Sequence, residues 1–416
     1  MKKINFLYFC ILIVFLPFSA LLGNVLEYKT TISGSQVFWV THWYEPILVV
    51  SFLFLVFSCF RKKITDTHLL QLLSLVLIIF GIISAVFISP SIRRGFEGFR
   101  FTILPVLFFV IAMLFSFTNQ ERHKLIKIYL IVSSIVAFWA IIERFLPEKY
   151  WNTAGLINPG VIFGWGWHGA GGFVQSASFL GGPNQLASYL LPALFIVLYK
   201  LQKSLNGKAL ARNLYLVLFS ILFLSIVLTY SRSAIIGMIV GLLVWFIYFS
   251  REKFLIYSVI TLSVLSIALI WILSPQNGFA NTVTHGGQTG HQTALVETMI
   301  ELKNRTLQKP AELFLGSGLG TAGPLVIKYG NGFISESWYL QLALEIGLFG
   351  LAVWLWFMVS ILKKLWGDKE RGLFLSLLSV SIAAIFLHTW ADNPAISYSL
   401  FILLGATLGT TWQKES

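Results

Sequence analysis

Apolar runs long enough to cross a bilayer recur along nearly the whole chain and leave room for little else. A hydrocarbon core of about 30 Å needs roughly 17–25 helical residues to span it. Runs of that order lie near 5–23, 44–60, 68–88, 101–118, 124–146, 186–201, 212–230, 233–250, 253–273, 338–361, 371–389 and 395–412. With 57% hydrophobic and 11% charged residues in 416, and a mean hydropathy of +0.80, a soluble globule with a polar exterior is excluded. The runs are apolar on all sides and lack the period-two alternation of an outer-membrane barrel strand, so they predict helices. The expected fold is all-α: one integral membrane domain over 1–416, with about twelve transmembrane helices.

Orientation follows from the basic residues, because short cytoplasmic loops retain positive charge. Lys2 and Lys3, 61–63, 122–127, 200–212, Arg251 and Lys253, 363–371 and Lys414 fall on one side of an alternating count. Both termini are then expected in the cytoplasm. The net charge of +13 reads as a topology signal rather than as a nucleic-acid surface. The first run, after Met1-Lys2-Lys3, resembles a signal peptide, but the later loops alternate correctly only if it stays as a span. Cys10 and Cys59 lie inside apolar segments, which supports neither a disulfide framework nor a thiolate metal site.

Cations on the opposite side run against this bias. They are Arg93, Arg94 and Arg100, then Arg144, then Arg232 in Leu228-Thr229-Tyr230-Ser231-Arg232-Ser233-Ala234, and Lys303, Arg305, Lys309 and Lys328. An arginine at the centre of a bilayer helix costs roughly 2.5–3.5 kcal/mol, so one kept between apolar runs has an anion to meet or a structural partner. Arginine suits phosphate because its planar fork makes bidentate, charge-assisted hydrogen bonds.

Two expected extracytoplasmic loops are large enough to hold a site. Loop 147–185 alternates glycine with aromatic residues through Gly164-Trp165-Gly166-Trp167-His168-Gly169 and ends at Pro183-Asn184-Gln185. It reads either as an interfacial aromatic belt or as a stacking surface for sugar rings. Loop 274–337 contains a polar stretch, an amphipathic helix expected over Leu295 to Leu307, and Leu315-Gly316-Ser317-Gly318-Leu319-Gly320. No Rossmann strand and helix frame these glycines, so nucleotide binding is not expected. His285 and His291 match no zinc spacing. His388 and Asp392 mark the last outer turn, where they either orient a substrate or close a helix end.

Several of these segments, taken in order, resemble the O-antigen ligase and polymerase superfamily. Thr229-Tyr230-Ser231-Arg232 resembles its T-x-S-R motif, and Pro183-Asn184-Gln185-Leu186-Ala187 its P-N-x-L-A helix start. Gly316-Ser317-Gly318-Leu319-Gly320 resembles its G-x-G-L-G segment. Glu336-Ser337-Trp338-Tyr339-Leu340 through Glu345-Ile346-Gly347-Leu348-Phe349-Gly350-Leu351 resembles its H-N-x-Y-L…E-x-G-L-x-G-L block. The chain departs from the family in two places. Glu336 stands where ligases carry a histidine, and 174–178 lacks the arginine that often precedes P-N. Arg144 with Gly155 and Arg305 with Gly316 match the R-x(10)-G pattern of the polymerases. The balance tilts toward a polymerase.

The resemblance implies a GT-C-like fold and glycosyl transfer, without cofactor or metal, at the outer face of a bacterial inner membrane. The donor would be an undecaprenyl-diphosphate-linked glycan, and the acceptor a sugar hydroxyl. Arg232 with Arg93, Arg94 or Arg305 would clamp the diphosphate, and Glu336 would serve as base. Glu336 reads equally as a carboxylate at a helix N-terminus. Arg100, Arg144, Asn184, His388 and Tyr339 are further substrate-contact candidates. A flippase and a chain-length regulator would be protein partners besides the lipid bilayer. A ligase acting on lipid A-core and a protein O-oligosaccharyltransferase share the donor. A transporter would show paired repeats, and no duplication is evident.

Overall fold

A computed structural model describes residues 2–19, 68–115, 117–145, 176, 178–205, 209–249, 288–330, 332, 334–388, 390 and 393–415. Every regular element among them is helical. In chain order they are α1 (Lys2–Phe15), α2 (His68–Ile83), α3 (Ile92–Thr102), α4 (Leu104–Leu114), α5 (Asn119–Phe145), α6 (Pro183–Ser204), α7 (Ala209–Leu228) and α8 (Arg232–Tyr248). There follow α9 (Gln288–Gln308), α10 (Pro310–Leu315), α11 (Leu325–Tyr329), α12 (Trp338–Glu345), α13 (Gly347–Gly367), α14 (Arg371–Ala383) and α15 (Pro394–Glu415).

The all-helical expectation holds for the described residues, and the membrane reading holds in its coarser form. Among the described residues, five helices are long and apolar enough to cross a membrane, or up to 6 if α3 and α4, bent by 51° at Ile103, form one broken span. α1, α8, α14 and α15 contribute shorter apolar stretches. The expected spans at 44–60 and 253–273 and most of loop 147–185 lie outside the described residues.

α4 and α6 form the centre. α4 is buried along nearly its whole length and packs against α15, and α6 is enclosed by α7, α8 and α14. Both begin with proline in the first turn, where the missing N–H is not needed by the helix. Around them, α2, α5, α7, α8 and α13 expose Ile79, Phe138, Val217, Leu243 and Trp356. Water would penalise such a surface and hydrocarbon would not. Hydroxyls supply short polar ties within the bundle: Ser225 donates to the Ala137 carbonyl at 2.8 Å, and Ser376 to that of Pro192 at 3.0 Å.

The two ends of the bundle differ in chemistry. At one, the start of α5, the ends of α6 and α8 and the start of α14 meet, tied by an Arg122–Glu370 ion pair, the Gln202 amide on the Phe249 carbonyl and Arg371 over the Phe249 ring. Lys200 and Lys203 lie at this end of α6. The other end gathers the C-termini of α5, α7 and α14 and the N-termini of α6, α8, α12 and α15. Most of the motif residues lie there.

Candidate functional site

The segment before α6 ties several motifs together. Ser178 N–H donates to the buried Glu143 carboxylate at 2.8 Å, and its hydroxyl donates to the Val136 carbonyl at 2.9 Å. Ser176 N–H donates to the Leu228 carbonyl at 3.2 Å, immediately before the Thr229-Tyr230-Ser231-Arg232 turn. Asn393 Nδ2 donates to the Leu180 carbonyl at 2.9 Å, bringing in the turn before α15. Asn184 itself is half-buried in the first turn of α6.

In the arginine turn, Tyr230 takes a left-handed backbone with φ 55°, a conformation that disfavours side chains with a Cβ. The Thr229 hydroxyl fixes it locally, donating to the Ile226 carbonyl at 2.6 Å and accepting from Ser231 N–H at 3.1 Å. Thr229, Ser231 and Ser233 are buried, whereas Arg232 is exposed as the first residue of α8. Among the described residues its guanidinium has no hydrogen-bond or ion-pair partner. A cation at a helix N-terminus adds to the partial positive charge of the free N–H groups, a combination that attracts anions.

α14 links this turn to the Glu336 segment. α8 packs closely on α14 at Gly237, where a Cβ would stand 2.4 Å from the Ser379 carbonyl oxygen. Two residues farther along α14, the Tyr339 hydroxyl donates to the Ser381 carbonyl at 3.0 Å. Trp338 N–H donates to the Ala384 carbonyl at 3.0 Å, and His388 Nδ1 lies 3.0 Å from the Ser335 carbonyl. Glu336 is half-buried just ahead of α12, beside the residue that His388 touches. Asp392, the expected companion of His388, lies outside the described residues, as do His285 and Gly155. The Arg144 side chain lies outside them too, its backbone ending α5.

Arg94 and Arg305 serve a separate junction built on Glu345, whose importance the sequence reading missed. Glu345 is fully buried at the end of α12. Its Oε1 accepts from Gly320 N–H at 3.0 Å, Ala322 N–H at 3.2 Å and Gln341 Nε2 at 3.4 Å, and its Oε2 accepts from the Thr102 hydroxyl at 3.3 Å. A buried carboxyl is tolerable only with such donors. Arg94, also buried, donates from Nε to the Gly320 carbonyl at 2.8 Å and lies over the Tyr329 ring at 5.3 Å. Burial and the nearby Glu97 push the Tyr329 phenol above its ordinary pKa, so it stays neutral.

Glycine is required where this loop meets α3. Gly318 and Gly320 have φ of 95° and 80°, and a Cβ on Gly98 would stand 2.3 Å from Gly320 N. Arg305 donates from Nη1 to the Leu344 carbonyl at 2.9 Å and pairs with Glu301 at 2.9 Å. Ser317 N–H donates to the same Leu344 carbonyl, and Gly318 N–H to that of Glu345. The R-x(10)-G spacing from Arg305 to Gly316 therefore brings both ends of the pattern to the C-terminal carbonyls of α12, which have no partner within their own helix. Arg94 and Arg305 are thus engaged in holding protein backbone. Arg93, 78% exposed, lies 3.7 Å from Glu97, and Arg100 is buried with its carbonyl accepting from Tyr398 at 2.8 Å. The signal for Glu345 was present: an acid inside the apolar run Leu342-Ala343-Leu344-Glu345-Ile346-Gly347-Leu348.

The expected amphipathic helix is present and longer, as α9. Its apolar residues Leu295, Met299 and Leu307 are exposed, whereas Thr298 and Arg305 are buried. No family model and no curated protein matches the chain.

Proposed function

We propose that this chain is a membrane glycosyltransferase that polymerises a lipid-linked glycan at the outer face of a bacterial cytoplasmic membrane. The observation that carries the reading is Arg232: an exposed guanidinium at the N-terminus of α8, without a partner among the described residues, at the end of the bundle away from the lysine-rich end. That arrangement suits the diphosphate of an undecaprenyl-diphosphate donor, whose leaving group gains negative charge in the transition state. The ordered motif resemblance adds the glycan chemistry. Arg93, exposed and 3.7 Å from Glu97, is the other candidate of the clamp with an exposed side chain, while Arg94 and Arg305 hold the glycine loop at Glu345.

In the proposed step, an acceptor sugar hydroxyl attacks the anomeric carbon of the donor. A carbon–oxygen bond forms, the anomeric carbon–phosphate oxygen bond breaks, and the diphosphate leaves with the electron pair. The hydroxyl proton passes to Glu336. Asn184, Tyr339 and His388 belong to segments at the same end and are the candidate contacts for the sugars. The apolar stripe of α9 would rest on the lipid beside the donor.

Deletion followed by complementation tests this reading on a glycan gel. Single repeat units on the final acceptor after deletion support a polymerase. Loss of all capping with accumulation of long lipid-linked chains makes the chain a ligase. Unchanged glycan overturns both. Normal polymerisation by a well-expressed Glu336→Gln variant removes the base assignment alone.

A further inference from the structure

We infer that the lysine-rich end of the bundle holds the phosphate of an anionic phospholipid, with Lys200 and Lys203 as its cationic contacts and the exposed face of α5 as the path of an acyl chain. This site is separate from the Arg232 turn and does not depend on the glycan chemistry. α5 and α6 are two of the helices long and apolar enough to span a membrane, and they bring cations together at this end. Lys200 stands in the field of Lys203, Arg122 and Glu370, and His123 in the field of all four. Among these groups Glu370 alone is acidic, and it already pairs with Arg122. The neighbouring acids are engaged as well: Glu121 Oε2 accepts from the Thr118 N–H and hydroxyl, both at 2.9 Å, and Asp368 lies 3.6 Å from Lys364. Neither Lys200 nor Lys203 has a carboxylate partner among the described residues. The end of α6 that carries them is fixed against the start of α14. A Cβ on Gly372 would stand 3.2 Å from Tyr199 Cβ, the Tyr199 hydroxyl donates to the Lys369 carbonyl at 3.3 Å, and Lys203 Nζ lies 4.6 Å from the centre of the Tyr199 ring. Like charges held one helical turn apart repel, and an anion between them removes the repulsion.

The surroundings select a lipid headgroup over a free anion. Along the exposed face of α5, Lys124 and Lys127 are followed by exposed Ile131, Ile135 and Phe138. Cation gives way to hydrocarbon surface within about one helical turn, the order in which a phospholipid presents its phosphate and its acyl chains. At the same end Tyr248 and Trp366 are exposed with their rings 5.8 Å apart, and Trp366 also meets Phe249 at 5.2 Å. Exposed tyrosine and tryptophan favour the headgroup level, which sets the lysines at the depth of lipid phosphates. Basic pockets between membrane helices are where acidic headgroups bind. A soluble phosphate would meet the same cations but leave the apolar stripe of α5 unused, and a zwitterionic headgroup would bring its own ammonium to a site already cationic.

The test uses the full chain in detergent micelles and native mass spectrometry with phosphatidylglycerol, phosphatidylcholine of the same acyl chains, and inorganic phosphate. Phosphatidylglycerol should bind about 25-fold more tightly than phosphatidylcholine, each lysine supplying about five-fold, and excess inorganic phosphate should not displace it. Lys200→Gln should lower the preference about five-fold, and Lys200→Gln with Lys203→Gln should abolish it. Lys303→Gln with Lys309→Gln removes two charges outside the cluster and should leave the preference unchanged. Equal binding of the two lipids by the wild-type chain, displacement by inorganic phosphate, an undiminished preference in the Lys200 and Lys203 double variant, or the same loss in the Lys303 and Lys309 double variant overturns the inference. The two wild-type measurements decide the matter even where the Lys200 and Lys203 double variant does not fold.

Discussion

The Glu345 junction and the Arg232 turn use charged residues for opposite ends. At the junction, a carboxyl with 0% exposure is surrounded by donors from α3, α12 and the glycine loop, while Arg94 and Arg305 donate to backbone carbonyls. At the turn, the hydroxyls are buried and locally bonded, but the guanidinium points out with no partner among the described residues. Where every charged group is answered from within the protein, the charge builds structure. Where the backbone is fixed and the charge is left open, it is available to a ligand. This distinction assigns roles that residue type cannot, since Arg94, Arg232 and Arg305 carry the same chemical group.

The largest expected effect breaks the junction. Glu345→Ala leaves buried N–H groups of Gly320 and Ala322 without acceptors and should cost about 3 kcal/mol of stability, read as a lowered melting temperature in detergent. Glu345→Gln retains an acceptor and should recover much of that loss. A wild-type melting temperature for Glu345→Ala would mean that the loop does not depend on this carboxyl.

Arg232→Ala should show the converse pattern. Its stability should stay within about 0.5 kcal/mol of wild type, as for an exposed side chain. Glycan polymerisation should fall by about 100-fold if the guanidinium meets developing charge on the leaving group. Loss of stability without loss of chain length would move Arg232 into the structural class.

A smaller change sharpens the junction further. Arg94→Lys keeps the charge but loses the planar group that bonds Gly320 while lying over Tyr329, and should destabilise by about 1 kcal/mol. At the opposite end of the bundle, Arg122→Met removes a partly exposed ion pair with Glu370 and should cost no more than about 1 kcal/mol. Melting curves of both variants, with glycan length measured alongside, would rank the contacts.

Legibility from sequence followed the range of the interactions. The helices at 68–88, 124–146 and 212–230, and most of the one now seen at Gly347–Gly367 within the expected run 338–361, were readable as spans because transfer of a 20-residue segment depends on that segment's own side chains. The break within the last of these, between α12 and α13 at Ile346, was not. It depends on Phe314 and Gly316 closing against Glu345 and Gly347, residues about thirty positions away. The amphipathic helix was legible as a pattern, but its orientation was not: Arg305 reaches Leu344 and is buried with Thr298, leaving Leu295 and Met299 outside. The R-x(10)-G spacing was visible as letters, and its shared target on α12 only in three dimensions.

By itself, the sequence determined that the chain forms long apolar helices, because hydropathy and helix propensity act within a single segment. Only the tertiary structure decided which buried acid anchors the glycine loop, which arginines hold backbone and which one stays open. Those outcomes depend on donors and acceptors from α3, α9, α12 and the loop between α10 and α11 meeting within about 3 Å, and no window of sequence contains them together.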